Sequence, residues 1–169
     1  MSDCLIFDLP SEAHTAAFAD QLARAVAAAL PRGNGVSIAL DGNLGAGKTT
    51  LVRYLLRALG IAGRIKSPSY AIVEPYDTAA FPIWHFDFYR LSAAEEFEDA
   101  GFRDIFASHG LRLVEWPQQL PVGVVPYDLR LQLSLGAADA RCLQVISGSA
   151  AGLQLLRNLE HERPPHPTP

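Results

Sequence analysis

Lysine is almost missing from this sequence of 169 residues. Of its 14 basic side chains, Lys48 and Lys66 are the two lysines and all the others are arginine. A chain so biased keeps lysine where a compact ammonium on a flexible stem is needed, which marks Lys48 strongly and Lys66 more weakly. Positive charge is also short: the net charge is −4 and the pI about 5.7. That argues against a primary, nonspecific electrostatic grip on nucleic acid, though not against a local basic patch. Cysteine is scarce too, with Cys4 and Cys142 each in an apolar, strand-like stretch. A disulfide scaffold is thereby excluded, and two buried thiols in a reducing compartment are expected. No apolar run approaches the roughly 20 residues that span a bilayer. Met1 to Asp8 lacks the basic-then-apolar pattern of a secretory leader. A cytoplasmic protein with no membrane partner is the expectation. His14, His109, His161 and His166 show no metal-ligand spacing.

The length suits one domain, and a chain that is 49% hydrophobic can bury a core without staples. Cys4 to Leu9 reads as a strand. Ser11 is placed to cap a helix whose apolar positions Ala17, Phe18, Leu22, Ala25 and Val26 recur at helical spacing, with Pro31-Arg32-Gly33 as its stop. Gly35 to Leu40 is nearly all apolar, as expected of a strand buried on both faces. Thr49 to Leu59 reads as a helix ended by Gly60. Strands are expected over Tyr70–Tyr76, Ile83–Tyr89, Leu111–Trp116, Leu129–Leu135 and Arg141–Ile146. Short helices are expected over Ala93–Asp99, capped by Ser92, and Phe102–Ser108, with a terminal helix over Ser149–Leu159. The domain is expected to fill residues 1–160, and the proline-rich tail 161–169 to be disordered.

Between the second strand and the second helix stands Gly42-Asn43-Leu44-Gly45-Ala46-Gly47-Lys48-Thr49, followed by Thr50. Glycine, four residues, Gly-Lys-Ser/Thr is the phosphate-binding loop pattern. The glycines let the backbone turn several N–H groups inward, where they and the positive end of the helix bind phosphate oxygens. Lys48 should bridge the β- and γ-phosphates, and the Thr49 hydroxyl should ligate Mg²⁺. Neither lysine stands in the Asn-Lys-x-Asp motif common in guanine-specific relatives of this loop, so ATP is favoured over GTP. Such a site needs an acid at the end of a second strand to orient the metal. Asp87, in Trp84-His85-Phe86-Asp87-Phe88-Tyr89-Arg90, and Glu115, in Leu111-Arg112-Leu113-Val114-Glu115-Trp116, both qualify, Glu115 after the cleaner apolar strand. The aromatic residues around them read as core, and His85 as a hydrogen-bonded structural histidine.

The cradle, then Lys66-Ser67-Pro68-Ser69-Tyr70, Val73-Glu74-Pro75-Tyr76, His85-Phe86-Asp87-Phe88-Tyr89-Arg90-Leu91 and Val114-Glu115-Trp116-Pro117 follow one another in register. Together they resemble the TsaE family, also called the YjeE-type P-loop ATPases, in motif over Ser37–Pro117 and in length over the whole chain. The resemblance implies an ATPase that binds the TsaB–TsaD pair in the bacterial synthesis of threonylcarbamoyladenosine, at the adenosine following the anticodon of ANN-decoding tRNAs. TsaD transfers the group, and ATP hydrolysis resets the complex. An acidic chain fits, because the partner holds the tRNA. By position, Lys48 and Thr49 match the phosphate and magnesium residues, and Asp87 a magnesium residue. Glu115 and Trp116 match the Glu-Trp-Pro motif beside the nucleotide, and Ser67 to Tyr70 a switch-like loop over the γ-phosphate. The chain departs from the pattern with Asn43 in place of Asp, Ser69 in place of Thr and Gln118 in place of Glu.

The expectation is therefore an α/β P-loop fold, a mostly parallel sheet flanked by helices with an antiparallel extension. ATP would be held by Asn43, Leu44, Gly45, Ala46, Gly47, Lys48, Thr49, Thr50 and Trp116. Magnesium would be held by Thr49, Asp87 and Glu115. Lys48, Asp87 and Glu115 would carry hydrolysis, with Glu115 orienting either the attacking water or a magnesium-bound one. Arg90 and Arg64 are candidate arginine fingers, and the isolated chain should be slow. A small-molecule kinase and a non-catalytic module gated by nucleotide are the rival readings.

Overall fold

Val36–Asp41 (β2) is apolar on both sides because it is the middle strand of a seven-stranded sheet, buried at every position but the last. The computed structural model describes residues 3–30, 35–68, 71–91 and 101–162. The other elements are β1 (Cys4–Leu9), α1 (Glu12–Ala29), α2 (Lys48–Ala58), β3 (Val73–Asp77), β4 (Pro82–Asp87), α3 (Phe102–Ala107), β5 (Leu111–Glu115), a 3-10 turn (Pro117–Gln119), β6 (Leu129–Leu135), β7 (Arg141–Ser147) and α4 (Ala150–His161). The expected helix Ala93–Asp99 with its Ser92 cap, the Pro31 stop, Ser69-Tyr70 and the residues after Glu162 lie outside the described residues.

The sheet order is β1-β7-β6-β2-β5-β4-β3. Strands β6, β2, β5 and β4 run parallel, and antiparallel strands extend both edges: β7 and β1 on one side, β3 on the other. The fold is thus α/β with a mostly parallel core, as expected. Helices α1, α2 and α4 cover one face, packing on Leu5, Phe7, Ile38, Leu40, Ile83, Leu111, Leu113, Leu143 and Val145. A smaller aromatic core of Phe86, Phe88, Phe102, Val114, Leu120 and Val125 fills the other. There the Phe86 ring lies edge-on to Phe102 at 5.3 Å and stacks on Phe106 at 5.1 Å. Strand alternation then decides where the polar residues go. Glu115 shares the helical face with Leu111 and Leu113, and His85 and Asp87 share it with Ile83.

Several expected boundaries shift for local reasons. The strand expected from Tyr70 starts at Val73, because Ile72 takes a positive φ of 65° while its N–H bonds to Pro68 O. The strand expected to reach Tyr89 stops at Asp87. The next two N–H groups are taken by Glu115 O (3.1 Å) and the Asp87 carboxylate (3.0 Å), which turns the chain. Ser11 holds the N-cap position of α1, but its hydroxyl meets His14 Nδ1 at 2.8 Å and caps no backbone N–H. Cys4 and Cys142 form no disulfide, but they are half-buried and not buried, because they lie on the face of β1 and β7 away from the helices.

Asp128, just before β6, joins three elements. Its carboxylate accepts from Ser37 N (2.8 Å) and Ser149 Oγ (2.5 Å), and its carbonyl from Gly148 N (2.8 Å). The start of α4 sits so close that a Cβ on Gly152 would fall 1.7 Å from Asp128 O. Backbone cannot yield there as a flexible side chain would. Gly152→Ala should therefore destabilise the chain by about 1–3 kcal/mol, read as a lower midpoint in urea unfolding; an unchanged midpoint would mean that α4 docks elsewhere.

Candidate functional site

Parallel pairing sets Leu40 against Glu115 and Glu115 against Asp87, so β2, β5 and β4 end side by side. The loop Gly42–Gly47 leaves β2 at that edge, where open α/β sheets bind their ligands. Two glycines make its path possible. Gly42 has φ +146°, and a Cβ there would meet Leu133 O at 2.5 Å; Gly47 caps α2 in the left-handed region at φ +105°. No side chain caps α2. Its first N–H groups, on Lys48, Thr49 and Thr50, therefore keep the donor capacity and partial positive charge that bind anions.

A cavity of about 380 Å³ opens at this helix end. It is lined by Leu44, Gly45, Gly47, Lys48, Thr49, Thr50, Ser67, Asp87, Tyr89, Arg90, Glu115 and Trp116. Lys48 is 5% exposed, its Nζ donating to Gly42 O (2.6 Å) and Asn43 O (3.0 Å) and lying 4.0 Å from the centre of the Trp116 ring. Burial pushes its pKa below 10.5, while Glu115, Asp87 and Asp41 pull it back up.

The two carboxylates are held in the same way. Glu115, 2% exposed, has Oε1 bonded to His85 Nε2 (2.8 Å), while Oε2 accepts from the Thr49 hydroxyl (2.8 Å). Asp87, 7% exposed, accepts from Tyr89 N at Oδ1 (3.0 Å) and from the Ser67 hydroxyl at Oδ2 (3.0 Å). Each acid thus has one oxygen fixed by the fold and one on a hydroxyl that lines the cavity. Trp116 follows Glu115 in the left-handed region, φ 59° and ψ 48°. Such a conformation costs a bulky residue about 1–3 kcal/mol and occurs where its surroundings over-determine it. Here Tyr89 packs on the Trp116 ring at 4.8 Å, and the Lys48 ammonium lies 4.0 Å from the centre of the same ring.

The structure brings Leu44, Gly45, Gly47, Lys48, Thr49, Thr50, Asp87, Glu115 and Trp116 to one cavity. Asn43 and Ala46 do not line it: Asn43 is exposed and offers its carbonyl to Lys48, and the Ala46 side chain is buried in the core. Arg90 lines the cavity, whereas Arg64 is exposed elsewhere. Sequence reading missed a second cavity of about 380 Å³ on the other flank of Gly47 and Thr50, lined also by Ser11, Glu12, Thr15, Leu133, Asp139 and Arg141. Arg141 there donates to Ala46 O (3.0 Å), bracing the loop from β7. No motif links residues so far apart in the chain, so only the sheet order reveals them.

A family model for the threonylcarbamoyl adenosine biosynthesis protein TsaE matches residues 9–143. The chain belongs to the TsaE family. Among curated TsaE proteins of tRNA threonylcarbamoyladenosine biosynthesis, that of Haemophilus influenzae is 38% identical over 122 residues, covering 72% of this chain and 76% of its own. The Synechocystis protein is 41% identical over 105 residues, 60% and 66% of the two chains. The crystal structure of Bacillus subtilis YdiB superposes with a TM-score of 0.74 at 25% identity, covering 95% of this chain and 97% of that one. No helix among the described residues of this TsaE-family chain is long and apolar enough to cross a membrane.

The lowered Lys48 pKa has a testable sign. Between the lowered native value and 10.5 the unfolded chain binds more protons than the native one, so Lys48 makes stability rise with pH in that window. Urea unfolding at neutral pH and at pH about 10 should show wild type gaining on Lys48→Met at the higher pH. A constant difference would mean that the ammonium is not desolvated.

Proposed function

We propose that this TsaE-family chain binds and hydrolyses Mg-ATP, and that it acts through hydrolysis on the TsaB–TsaD complex in threonylcarbamoyladenosine modification at the adenosine following the anticodon of ANN-decoding tRNAs. The observation that carries the proposal is the Thr49–Glu115 hydrogen bond, 2.8 Å, at the base of the loop. It joins the loop hydroxyl to a strand-end carboxylate, the pairing that phosphoryl-transfer sites of this kind use to hold magnesium. The donors are all oxygen, two carboxylates and two hydroxyls, which suits magnesium. Among the described residues no three His, Cys, Asp or Glu side chains form a cage. Thr49, Asp87 and Glu115 would hold the magnesium ion. Bound with the nucleotide, it supplies positive charge to the β- and γ-phosphates.

The remaining work falls to the chain itself. The N–H groups of the loop and of the first turn of α2 bind the phosphates and stabilise charge as the γ-phosphoryl leaves. Lys48 adds its ammonium. Glu115 orients water at the γ-phosphate end, and the Trp116 ring walls the site. The second cavity, which shares Gly47 and Thr50 with the first, takes the nucleoside half. Lys48 and Arg90 are the cations lining the first cavity among the described residues. One committed ammonium and one exposed guanidinium make a slow enzyme, which a partner completes. The acidic chain leaves the tRNA to that partner.

Phosphate release from Mg-ATP, by the chain alone and with TsaB and TsaD added, tests this. Release should be slow alone and rise with the partners, and Lys48→Ala should lower it by at least about 10²-fold. Full activity in Lys48→Ala would sink the assignment. Nucleotide binding without release under either condition would make the chain a nucleotide-gated binding module.

A further inference from the structure

His85 is fully buried on β4, one strand from Glu115, and its two ring nitrogens have unequal surroundings. Nε2 faces Glu115 Oε1 at 2.8 Å. Nδ1 is buried with no hydrogen-bond partner among the described residues. A bare ring nitrogen facing a carboxylate oxygen would set two lone pairs against each other, so Nε2 carries the proton. A proton on Nδ1 would be a buried donor with nothing to bond, the costlier of the two orphan states. The ring is therefore the Nε2–H tautomer, with its single donor aimed at Oε1.

We propose that His85 is the positioning residue of Glu115: its Nε2–H pins Oε1, which fixes the rotation of the carboxylate and presents Oε2 to Thr49, where magnesium would be held. The inference rests on the Mg-ATP reading above. With Oε1 held by His85 and Oε2 by Thr49, the carboxylate has no freedom to turn either oxygen toward the ammonium of Lys48. Without His85, Oε1 is a buried charged oxygen with no donor, and the carboxylate must reorient to find one. Phosphate binding by the loop N–H groups needs neither oxygen, so loss of His85 separates magnesium dependence from nucleotide affinity.

Two substitutions in the full chain isolate the Nε2–H. A glutamine amide nitrogen lies as many bonds from Cβ as Nε2, and an asparagine nitrogen as many as Nδ1. His85→Asn should raise the magnesium concentration for half-maximal phosphate release, or lower kcat, by about 10–100-fold. Binding of a fluorescent ATP analogue in EDTA should stay unchanged, and His85→Gln should recover most of the loss. In the metal-free wild-type chain with 15N-labelled histidine, long-range 15N–1H spectra should show His85 as the Nε2–H tautomer. An Nδ1–H ring would overturn the proposal. So would Asn and Gln variants that behave alike, or metal-free binding that falls in step with magnesium dependence. Should His85→Asn not fold, the wild-type tautomer and the magnesium dependence of His85→Gln decide. A wild-type chain that neither binds nor hydrolyses Mg-ATP overturns the nucleotide reading itself, and this inference with it.

Discussion

The register of three parallel strands governs everything at the candidate site. Leu40 stands beside Glu115 and Glu115 beside Asp87, so the chain leaving β2 as the Gly42–Gly47 loop emerges next to both carboxylates. Register in a sheet is enforced by what each residue's neighbours bury, because a slip of one residue turns every side chain to the opposite face. In β5 such a slip would exchange Leu113 for Val114 between the two cores and turn Glu115 away from Thr49. The apolar residues of β5 thus aim its one acid.

Charge at that edge is buried and must be matched. Lys48, Asp87 and Glu115 are each less than a tenth exposed, and an unpaired buried charge is costly enough to unfold a domain or shift its own titration. The chain answers with hydrogen bonds at short range: two carbonyls on the ammonium, and two donors on each carboxylate. Of the donors to the carboxylates, His85 and the Tyr89 N–H come from β4 and the turn after it, while Thr49 and Ser67 line the cavity. An incoming ligand can therefore replace the hydroxyl partners of the two acids and leave the others in place.

Much of this was legible in the sequence, and unevenly so. The loop was plain because its pattern sets specific residues at fixed spacing, and the lysine scarcity singled out Lys48 independently. Asp87 and Glu115 both qualified as candidate acids, Glu115 after the cleaner apolar strand. That the two become neighbours follows from β4 pairing with β5, which no local pattern encodes. His85 carried the bland reading of a hydrogen-bonded core histidine; the structure agrees on the bond and adds its partner, the acid 30 residues on. The second cavity was invisible for the same reason: Glu12, Thr15 and Arg141 meet only because β1 and β7 close one edge of the sheet. Boundaries failed where a single backbone torsion decided them, as at Ile72.

Trp116 shows how fold and site share one strain. Its left-handed backbone turns the chain out of β5 into the 3-10 turn, whose Gln119 N–H bonds back to Trp116 O. That same torsion brings the indole over the Lys48 ammonium, with Tyr89 packed on the ring. Relaxing the torsion would withdraw the ring from Lys48 and pull the residue after Glu115 out of the turn. A Cβ is what makes this conformation costly, and the ring contacts of Trp116 with Lys48 and Tyr89 offset that cost. Glycine alone would relieve the strain, and it would lose the contacts together with it, so the ammonium position depends on an aromatic ring at a place where backbone preference alone would select glycine.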